Sequence, residues 1–305
     1  MTATPAPPPV GRFAPSPTGP LHLGSLVAAL GSWLFARAKG GRWLVRMEDL
    51  DTPRVVPGAA DDILRTLERF GLTWDGEFVF QSQRTEKYEE AFRILRVKEL
   101  GYPCACSRAD IARAASAPVR GDEAAADGAG LVYPGTCRSG LPPGRVARAF
   151  RFRVPAGLLT FKDLLFGPVS ENLEASVGDF VVKRADGPYA YQLAVVVDDA
   201  AQGVTEVVRG ADLLDSTARQ ITLQRALSLP TPAYAHLPLV VGSDGRKLGK
   251  RDGALALDTL DEARVRAAFA FALSALGQDP AESPREAALR FDPSRIPREP
   301  RRAPG

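Results

Sequence analysis

The spacing of apolar residues predicts alternating strands and helices along most of the chain. The first unit comprises a short strand at 10–14, a helix at 21–39 and a second strand at 42–47. Two amphipathic helices are predicted next, at 57–71 after a proline and at 86–100 before a glycine. Because strand, helix, strand is the opening unit of a parallel sheet, this pattern favours a doubly wound α/β fold.

After an interruption, the alternation of strands and helices continues in the second half of the chain. Residues 112–130 are rich in Ala, Gly, Asp and Pro and are predicted to form a flexible excursion. The later predicted elements are strands at 149–154, 177–183 and 204–208, helices at 191–198, 216–227 and 260–276, and an apolar segment at 236–242. A tail rich in Pro and Arg is predicted to lack fixed structure. The expected domains are a flexible N-terminus (1–9), a core in two parts (10–102 and 149–292), an insertion (103–148) and a flexible tail (293–305).

Composition mainly excludes classes of protein. With 305 residues, 45% of them hydrophobic and 25% charged, the chain is long and apolar enough to bury a full core. It has no apolar run long enough to span a membrane and no signal peptide at its N-terminus, so we expect a cytoplasmic protein without a membrane partner. The net charge of +3 neither requires nor excludes a nucleic-acid partner, because a local basic patch is enough to bind phosphates.

Two distant blocks carry the candidate chemistry. Residues 12–25 read RFAPSPTGPLHLGS and place His22, one of two histidines, at the start of an apolar helix. A helix N-terminus favours anions, and an imidazole donates to phosphate oxygens. Residues 246–251 read RKLGKR and supply Lys247 and Lys250. Together the blocks are typical of a nucleoside triphosphate site, whereas each block alone is also consistent with a capped turn or a solvated loop.

The same blocks resemble the motifs of a known family. PSPTG followed by LHLG, with the distant KLGKR, resembles the signature and lysine-loop motifs of the class I aminoacyl-tRNA synthetases, specifically their glutamyl branch. RMEDLDTPR at 46–54 and YQLAVVVDDAAQGVTEVVRGADLLDST at 191–217 are similar to glutamyl-synthetase segments in the same order. The resemblance implies a Rossmann-like catalytic core. Ser25 and Gly249 depart from it, because many class I enzymes have a second histidine and a serine at these positions.

The resemblance also implies roles for individual residues. An Arg pairs bidentately with a carboxylate and a Glu pairs with an ammonium group, and we favour Arg12 as the partner of the substrate side chain. ATP, accompanied by Mg²⁺, is implied as a substrate held by His22, Gly24 and Lys250. His22, Lys247 and Lys250 are implied as the catalytic groups, which stabilise charge at the phosphates. The residues implied to hold L-glutamate are Arg12, Phe13, Ala14, Pro15, Ser16, Glu48, Tyr191 and Arg209.

The three cysteines indicate free thiols or a metal site, because an odd number without a secretory context argues against a disulfide framework. Cys104 and Cys106 form a C-x-C pair, and Cys137 follows Tyr133 by four residues. Three thiolates suit zinc, but a closed structural site takes four ligands. The spacing resembles that of the small glutamyl-Q tRNA(Asp) synthetases, which implies one structural Zn²⁺ bound by these four residues in a small inserted domain. Three unligated thiols remain the alternative.

The segment after the lysine loop separates the members of the glutamyl branch. A full glutamyl-tRNA synthetase continues there into a helical anticodon-binding region, whereas this chain is expected to have only one good helix and a tail. The resemblance to glutamyl-Q synthetases implies a monomer that activates glutamate without tRNA. The glutamate is then transferred to queuosine at the wobble position of the tRNA(Asp) anticodon. A shortened glutamyl-tRNA synthetase that charges the acceptor end and a noncatalytic RNA-binding paralogue remain alternatives.

Overall fold

The computed structural model describes residues 7–115, 131–248, 256–257 and 261–304. The helices in these residues are α1 (Leu23–Arg37), α2 (Ala59–Arg69), α3 (Thr85–Val97), α4 (Arg108–Ala115), α5 (Leu173–Ser176), α6 (Tyr191–Ala201), α7 (Leu214–Leu227), α8 (Glu262–Ala275) and α9 (Pro284–Leu289). The strands are β1 (Val10–Phe13), β2 (Arg42–Met47), β3 (Val79–Phe80), β4 (Gly101–Cys104), β5 (Ala149–Phe152), β6 (Leu159–Asp163), β7 (Gly167–Glu171), β8 (Phe180–Lys183), β9 (Glu206–Gly210), β10 (Ala233–Leu237), β11 (Val240–Val241) and β12 (Arg301–Arg302). Among the described residues, no helix combines the length and apolar character needed to cross a membrane.

Two sheets meet at the centre of the molecule and confirm the predicted α/β fold. Strands β1, β2 and β3 form a parallel sheet, and β9, β10 and β6 run parallel in a second sheet with β7 as an antiparallel edge. The sheets join where β1 lies beside β9, because the Thr205 N–H donates to the Val10 carbonyl at 2.9 Å. The strands therefore follow the order β3-β2-β1 and then β9-β10-β6-β7. In such sheets ligands bind at the carboxyl ends of the strands, where the order switches.

Helix α1 is the central helix of the core. Ten consecutive or near-consecutive residues of α1 are buried, which is typical of a core helix rather than of an amphipathic surface helix. It packs against β1, β9 and α8. At Gly31, a Cβ atom would lie 2.5 Å from Leu237 Cδ1 of β10, so glycine permits this close approach of helix to sheet. Helix α1 therefore holds the turn that precedes it at the carboxyl end of β1, where the strand order switches.

The insertion projects from a separate antiparallel sheet. Strands β4, β5 and β8 form this sheet, and the three cysteines lie between the start of β4 and the start of β5 along the chain. The predicted flexible excursion at 112–130 is corrected at its beginning, because residues 112–115 belong to α4. Alanine favours helix strongly enough to extend α4 into this stretch. Residues 116–130 lie outside the described residues.

The C-terminal tail has a fixed structure, which corrects the prediction of a flexible segment from 293 onward. A short 3₁₀ turn at Pro293–Arg295 leads to Ile296, which is buried in the main core. Strand β12 then pairs in parallel with β11, and the Arg301 N–H donates to the Leu239 carbonyl at 2.7 Å. Composition did not indicate this structure, because the segment is held by contacts with distant residues: the buried Ile296, the pairing with β11 and an Arg295–Asp279 ion pair at 2.8 Å.

Candidate active site and thiol cluster

A sharp turn connects β1 to α1 and lies at the switch point. Gly19 has a φ of 128°, a conformation that favours glycine. The Glu48 N–H donates to the Pro15 carbonyl at 2.9 Å, and the Val56 N–H donates to the Pro17 carbonyl at 3.0 Å. These bonds fasten the turn to the segment that follows β2. The carboxyl ends of β1 and β2 are thereby held as one unit.

His22 caps α1 and presents its ring at the helix N-terminus. Its Nδ1 accepts the Ser25 backbone N–H at 3.3 Å. A neutral imidazole whose Nδ1 accepts a hydrogen bond carries its proton on Nε2. A Cβ atom at Gly24 would lie 3.1 Å from His22 Cε1, so glycine leaves room for the ring. The cap uses Nδ1 of the ring, whereas anion binding would use Nε2 and the helix N-terminus. The two roles of His22 are therefore compatible.

Both ends of the lysine segment lie beside this turn. Before the segment, Val240 Cβ is 3.7 Å from the Cβ position of Gly24. After it, the Leu257 N–H donates to the Leu21 carbonyl at 3.0 Å. The fold therefore brings together the ends of two sequence blocks that are more than two hundred residues apart.

The two lysines of the segment differ in what the structure describes. Lys247 forms a backbone bridge with Val241, and its Nζ pairs with Asp212 Oδ2 at 2.5 Å. Asp212 belongs to the turn that follows β9, so Lys247 also lies on the carboxyl side of the sheet. Lys250 and Gly249 lie outside the described residues.

Four of the residues predicted to bind an amino acid surround the switch point. Arg12 lies on β1, Glu48 follows β2, Tyr191 begins α6 and Arg209 lies on β9. Burial raises the pKa of Tyr191, and the charges of Glu48, Arg209 and Arg12 also act on this pKa. These four side chains, from four separate segments, are therefore within electrostatic reach of one another. Ala14, Pro15 and Ser16 lie in the adjoining turn.

Arg12 and Phe13 are adjacent on β1 but have different environments. The Arg12 side chain is 4% exposed, and its Nε donates to Asp199 Oδ1 at 3.2 Å. Its two terminal nitrogens have no hydrogen-bond partner among the described residues. The Phe13 ring stacks on Trp43 in the main core, with centroids 6.2 Å apart. Phe13 therefore offers the site only its backbone, whereas Arg12 offers a buried guanidinium with open donors.

Arg209 is held almost entirely by protein groups. Its Nε donates to His236 Nε2 at 3.1 Å and its Nη1 donates to Gln220 Oε1 at 2.8 Å. Its Nη2 donates to Thr217 Oγ1 at 2.9 Å and to the Leu213 carbonyl at 3.2 Å. Four of the five N–H groups of a guanidinium are thus used inside the protein. This geometry suits a fixed pocket wall better than a bidentate clamp.

His236 is a buried partner of Arg209 that sequence reasoning did not place in the site. Its Nδ1 lies 2.6 Å from Asp163 Oδ2, and both side chains are fully buried. Burial lowers the pKa of His236, although its hydrogen bond to Asp163 acts in the opposite direction. The ring is therefore neutral, with Nδ1–H donating to Asp163 and Nε2 accepting from Arg209.

A second set of buried charged residues was also not predicted from the sequence. Arg46 is completely buried between Asp199 and Glu48, and Asp198 lies next to Asp199 on α6. Burial raises the pKa of Glu48, while the charges of Arg46 and Arg12 oppose this rise. The available signal was the pair of adjacent aspartates in the largely apolar helix at 191–201.

The thiol cluster brings together all four predicted metal ligands. The three cysteine sulfurs lie within 4.8 Å of one another, with Cys106 Sγ 3.7 Å from Cys137 Sγ. The Tyr133 hydroxyl oxygen is 3.5 Å from Cys104 Sγ and 3.9 Å from Cys106 Sγ. A tetrahedral zinc site with ordinary bond lengths has sulfur atoms about 3.8 Å apart and sulfur to oxygen separations of about 3.5 Å. The donor set therefore suits zinc in chemistry, and the Cys106–Cys137 and Cys104–Tyr133 separations are close to those of a tetrahedral site.

A cation lies directly against this cluster. Arg151 is buried, its Nε donates to Cys104 Sγ at 3.3 Å, and its guanidinium lies 3.8 Å from the centre of the Tyr133 ring. Three thiolates with one Zn²⁺ carry a net charge of −1, which a neighbouring guanidinium offsets. The surroundings are therefore suited to thiolates.

Comparison with protein families and curated proteins gives one consistent result. The family model for tRNA synthetases class I (E and Q), catalytic domain, matches residues 10–283. The chain is 57% identical over 308 residues to the glutamyl-Q tRNA(Asp) synthetase of Geobacter sulfurreducens, covering 97% of this chain and 96% of that protein. It is 60% identical over 268 residues to the glutamyl-Q tRNA(Asp) synthetase of Dechloromonas aromatica, covering 88% of this chain and 86% of that protein.

Solved structures show the same similarity. A glutamate tRNA ligase from Elizabethkingia meningosepticum, crystallised in complex with its amino acid, superposes with a TM-score of 0.78 at 28% identity, covering 97% of this chain and 67% of that chain. The glutamate-tRNA synthetase of Elizabethkingia anophelis gives 0.77 at 27% identity, covering 97% and 68%. The similarity in fold therefore extends over nearly the whole of this chain.

Proposed function

The chain belongs to the glutamyl-Q tRNA(Asp) synthetases, which are class I aminoacyl-tRNA synthetase-like ligases, and we propose that it activates L-glutamate with ATP and transfers the glutamate to queuosine in tRNA(Asp). Activation of glutamate precedes tRNA binding in this proposal. The acceptor is the cyclopentene ring of queuosine at the wobble position of the anticodon. The names of the relatives support this acceptor.

The single observation that carries the proposal is the arrangement of charges at the switch point. Arg12 presents two open terminal nitrogens from a buried guanidinium, and Glu48 presents a carboxylate from the neighbouring strand end. A zwitterionic amino acid with an acidic side chain supplies one partner for each. In this assignment Arg12 binds the side-chain carboxylate, Glu48 binds the α-ammonium group and Tyr191 orients the substrate. Arg209 forms the pocket wall.

The first chemical step forms glutamyl-adenylate. An oxygen of the glutamate α-carboxylate attacks the α-phosphorus of ATP, a new P–O bond forms, and the bond to the bridging oxygen of the β-phosphate breaks with release of pyrophosphate. No side chain is required as a nucleophile, so positioning and stabilisation of charge account for the catalysis. In the second step the acceptor on queuosine displaces AMP from the activated carboxyl group.

The phosphates of ATP are assigned to the turn and the lysine segment. His22 lies at the N-terminus of α1, where the helix dipole favours anions, and Gly24 leaves room for the ring. Lys247 and Lys250 supply positive charge from the segment whose two ends contact residues 21–24. Loss of one such donor typically costs roughly 3 to 4 kcal/mol of transition-state stabilisation. Mg²⁺ accompanies ATP as a charge-neutralising ion in this scheme.

We assign the thiol cluster to one structural zinc ion. Cys104, Cys106, Tyr133 and Cys137 would hold it, and the closed set of four donors leaves no position for a substrate. When bound, the ion would fix the two ends of the insertion to each other and thereby stabilise the fold.

The test of the proposed activation step is glutamate-dependent exchange between ATP and labelled pyrophosphate in the absence of tRNA. The wild-type protein is expected to catalyse this exchange with glutamate. Lys250→Ala is expected to reduce it by at least about 100-fold, because a charge at the phosphates is lost. Lys87→Ala, which removes an exposed lysine on α3, is the matched control and is expected to retain full exchange. No exchange by the wild-type protein, or equal rates for both variants, would contradict the proposal.

A further inference from the structure

Helix α6 carries two adjacent carboxylates in the interior of the protein. Asp198 is completely buried and Asp199 is 4% exposed. Both lie about two turns after Tyr191, the first residue of this helix. Burial of an unpaired carboxylate is costly, so each aspartate requires cations or hydrogen-bond donors nearby. The two side chains meet this requirement with different partners.

Asp199 binds two arginines that come from neighbouring strands. Its Oδ1 accepts from Arg12 Nε of β1 at 3.2 Å and from Arg46 Nη1 of β2 at 2.8 Å. Arg46 Nη2 in turn lies 3.3 Å from Glu48 Oε1, to which it donates. Direct or indirect contacts therefore link one carboxylate to both residues that were assigned to the charged groups of glutamate.

Asp198 has a separate set of partners. It accepts from Gln81 Nε2 at 2.9 Å, from the Tyr88 hydroxyl at 2.7 Å and from Arg84 Nε at 2.5 Å. These groups belong to α3 and the turn before it, so Asp198 fastens α3 to α6. Its Oδ2 lies 3.9 Å from Arg46 Nε, which is too far for a hydrogen bond. The two aspartates are thus nearly equal in burial and position but differ in the elements that they connect.

Asp199 connects Arg12 and Glu48 through a chain of ion pairs that includes Arg46. Burial alone would raise the pKa of Asp199, but the charges of Arg12 and Arg46 outweigh it and lower the pKa, so the side chain is ionised. Without this charge, Arg12 and Arg46 would face Glu48 as the remaining anion close to both. Arg12 would then be drawn toward Glu48, and each would neutralise the partner that glutamate needs.

We propose that Asp199 is a positioning residue that keeps the glutamate pocket open by holding Arg12 through its Nε and by holding Glu48 through Arg46. The terminal nitrogens of Arg12 then remain available for a carboxylate, and Glu48 remains available for an ammonium group. The inference rests on the proposed glutamate site, and it assigns Asp199 a role in binding glutamate without contact with it.

The matched pair Asp199→Asn and Asp198→Asn tests this role in the pyrophosphate exchange assay. Asp199→Asn is expected to raise the KM for glutamate by about 10- to 100-fold while the KM for ATP stays within about twofold of wild type. Asp198→Asn is expected to lower the melting temperature, because its three hydrogen bonds connect two helices, and to leave the KM for glutamate within about twofold. Asp199→Glu, which restores the charge, is expected to recover part of the loss.

The outcomes separate this inference from the proposed function. Suppose that the wild-type protein catalyses glutamate-dependent exchange. Equal KM values for glutamate in the two variants would then show a purely structural role and overturn the inference alone. A parallel rise in the KM for ATP with Asp199→Asn would do the same. Absence of wild-type exchange would overturn the proposed function and the inference together. If Asp199→Asn does not fold, Asp199→Glu replaces it, because its longer side chain displaces Arg12. A smaller rise, confined to the KM for glutamate, is then expected, and its absence overturns the inference.

Discussion

Two arginines at the switch point illustrate how partners determine the role of a residue. Arg12 and Arg209 are both buried on neighbouring strands, yet Arg12 has one hydrogen-bonded nitrogen and Arg209 has three. The guanidinium with open donors is suited to bind a ligand, and the guanidinium with filled donors is suited to shape a pocket. The sequence predicted both positions through a family resemblance. It could not show this difference, because the partners His236 and Asp199 are 27 and 187 residues away.

Replacement of Arg12 by lysine tests its proposed role as the carboxylate partner. Lysine keeps the positive charge but loses the planar pair of donors. We expect Arg12→Lys to raise the KM for glutamate by roughly 10- to 100-fold, because a charge-assisted hydrogen bond is lost. Arg42→Lys, at an exposed position on the adjacent strand, is the control. Steady-state pyrophosphate exchange measures both variants, and an unchanged KM for Arg12→Lys would remove this residue from the proposed contact.

At the scale of elements, segments with a clear apolar pattern were predicted well, and several strands without one were missed. The predicted strand at 42–47 coincides with β2, and the predicted helices at 57–71 and 86–100 contain α2 and α3. The hairpin of β6 and β7 was missed, because Gly167 and Pro168 begin a strand whose residues alternate only weakly in polarity. Strand β12 was missed because it has two arginines and depends on β11 for its pairing. Such strands are defined by tertiary contacts, which local pattern does not report.

The thiol cluster has no proposed contact with substrate, so its role in binding zinc can be tested separately from activity. We expect the wild-type protein to bind about one zinc ion per chain and Cys137→Ser to bind much less, because serine is a poor zinc ligand. The melting temperature is expected to fall as well, because the ion would clamp the insertion. Ser139→Ala, at an exposed position two residues later, is the control. Elemental analysis that finds the same zinc content in both variants would contradict the assignment.

At the scale of the whole molecule, buried charges connect the two halves of the sheet to the site. Asp163 of β6 holds His236 of β10, and His236 holds Arg209 of β9. Asp199 of α6 similarly connects β1 to β2 through Arg12 and Arg46. The overall α/β arrangement followed from the strand and helix pattern, but these cross-connections did not, because sequence pattern does not show which buried charges meet.

The state of His236 makes stability depend on pH. Because burial lowers the pKa of His236 below its ordinary value of 6.5, the ring stays neutral in the folded protein while it gains a proton in the unfolded chain. The free energy of unfolding is therefore expected to fall as pH decreases through 6.5. His236→Gln is expected to lose this part of the pH dependence. Denaturant titrations of both proteins between neutral and mildly acidic pH measure it, and identical slopes would contradict a neutral buried histidine.

The proposed acceptor is best tested by transfer of labelled glutamate to tRNA(Asp) that contains queuosine, compared with the same tRNA that has guanosine at the wobble position. We expect labelling only of the queuosine-containing tRNA, after tRNA-independent activation of glutamate. Equal labelling of the two tRNAs, or labelling of tRNA(Glu) at its acceptor end, would contradict it and indicate a shortened glutamyl-tRNA synthetase.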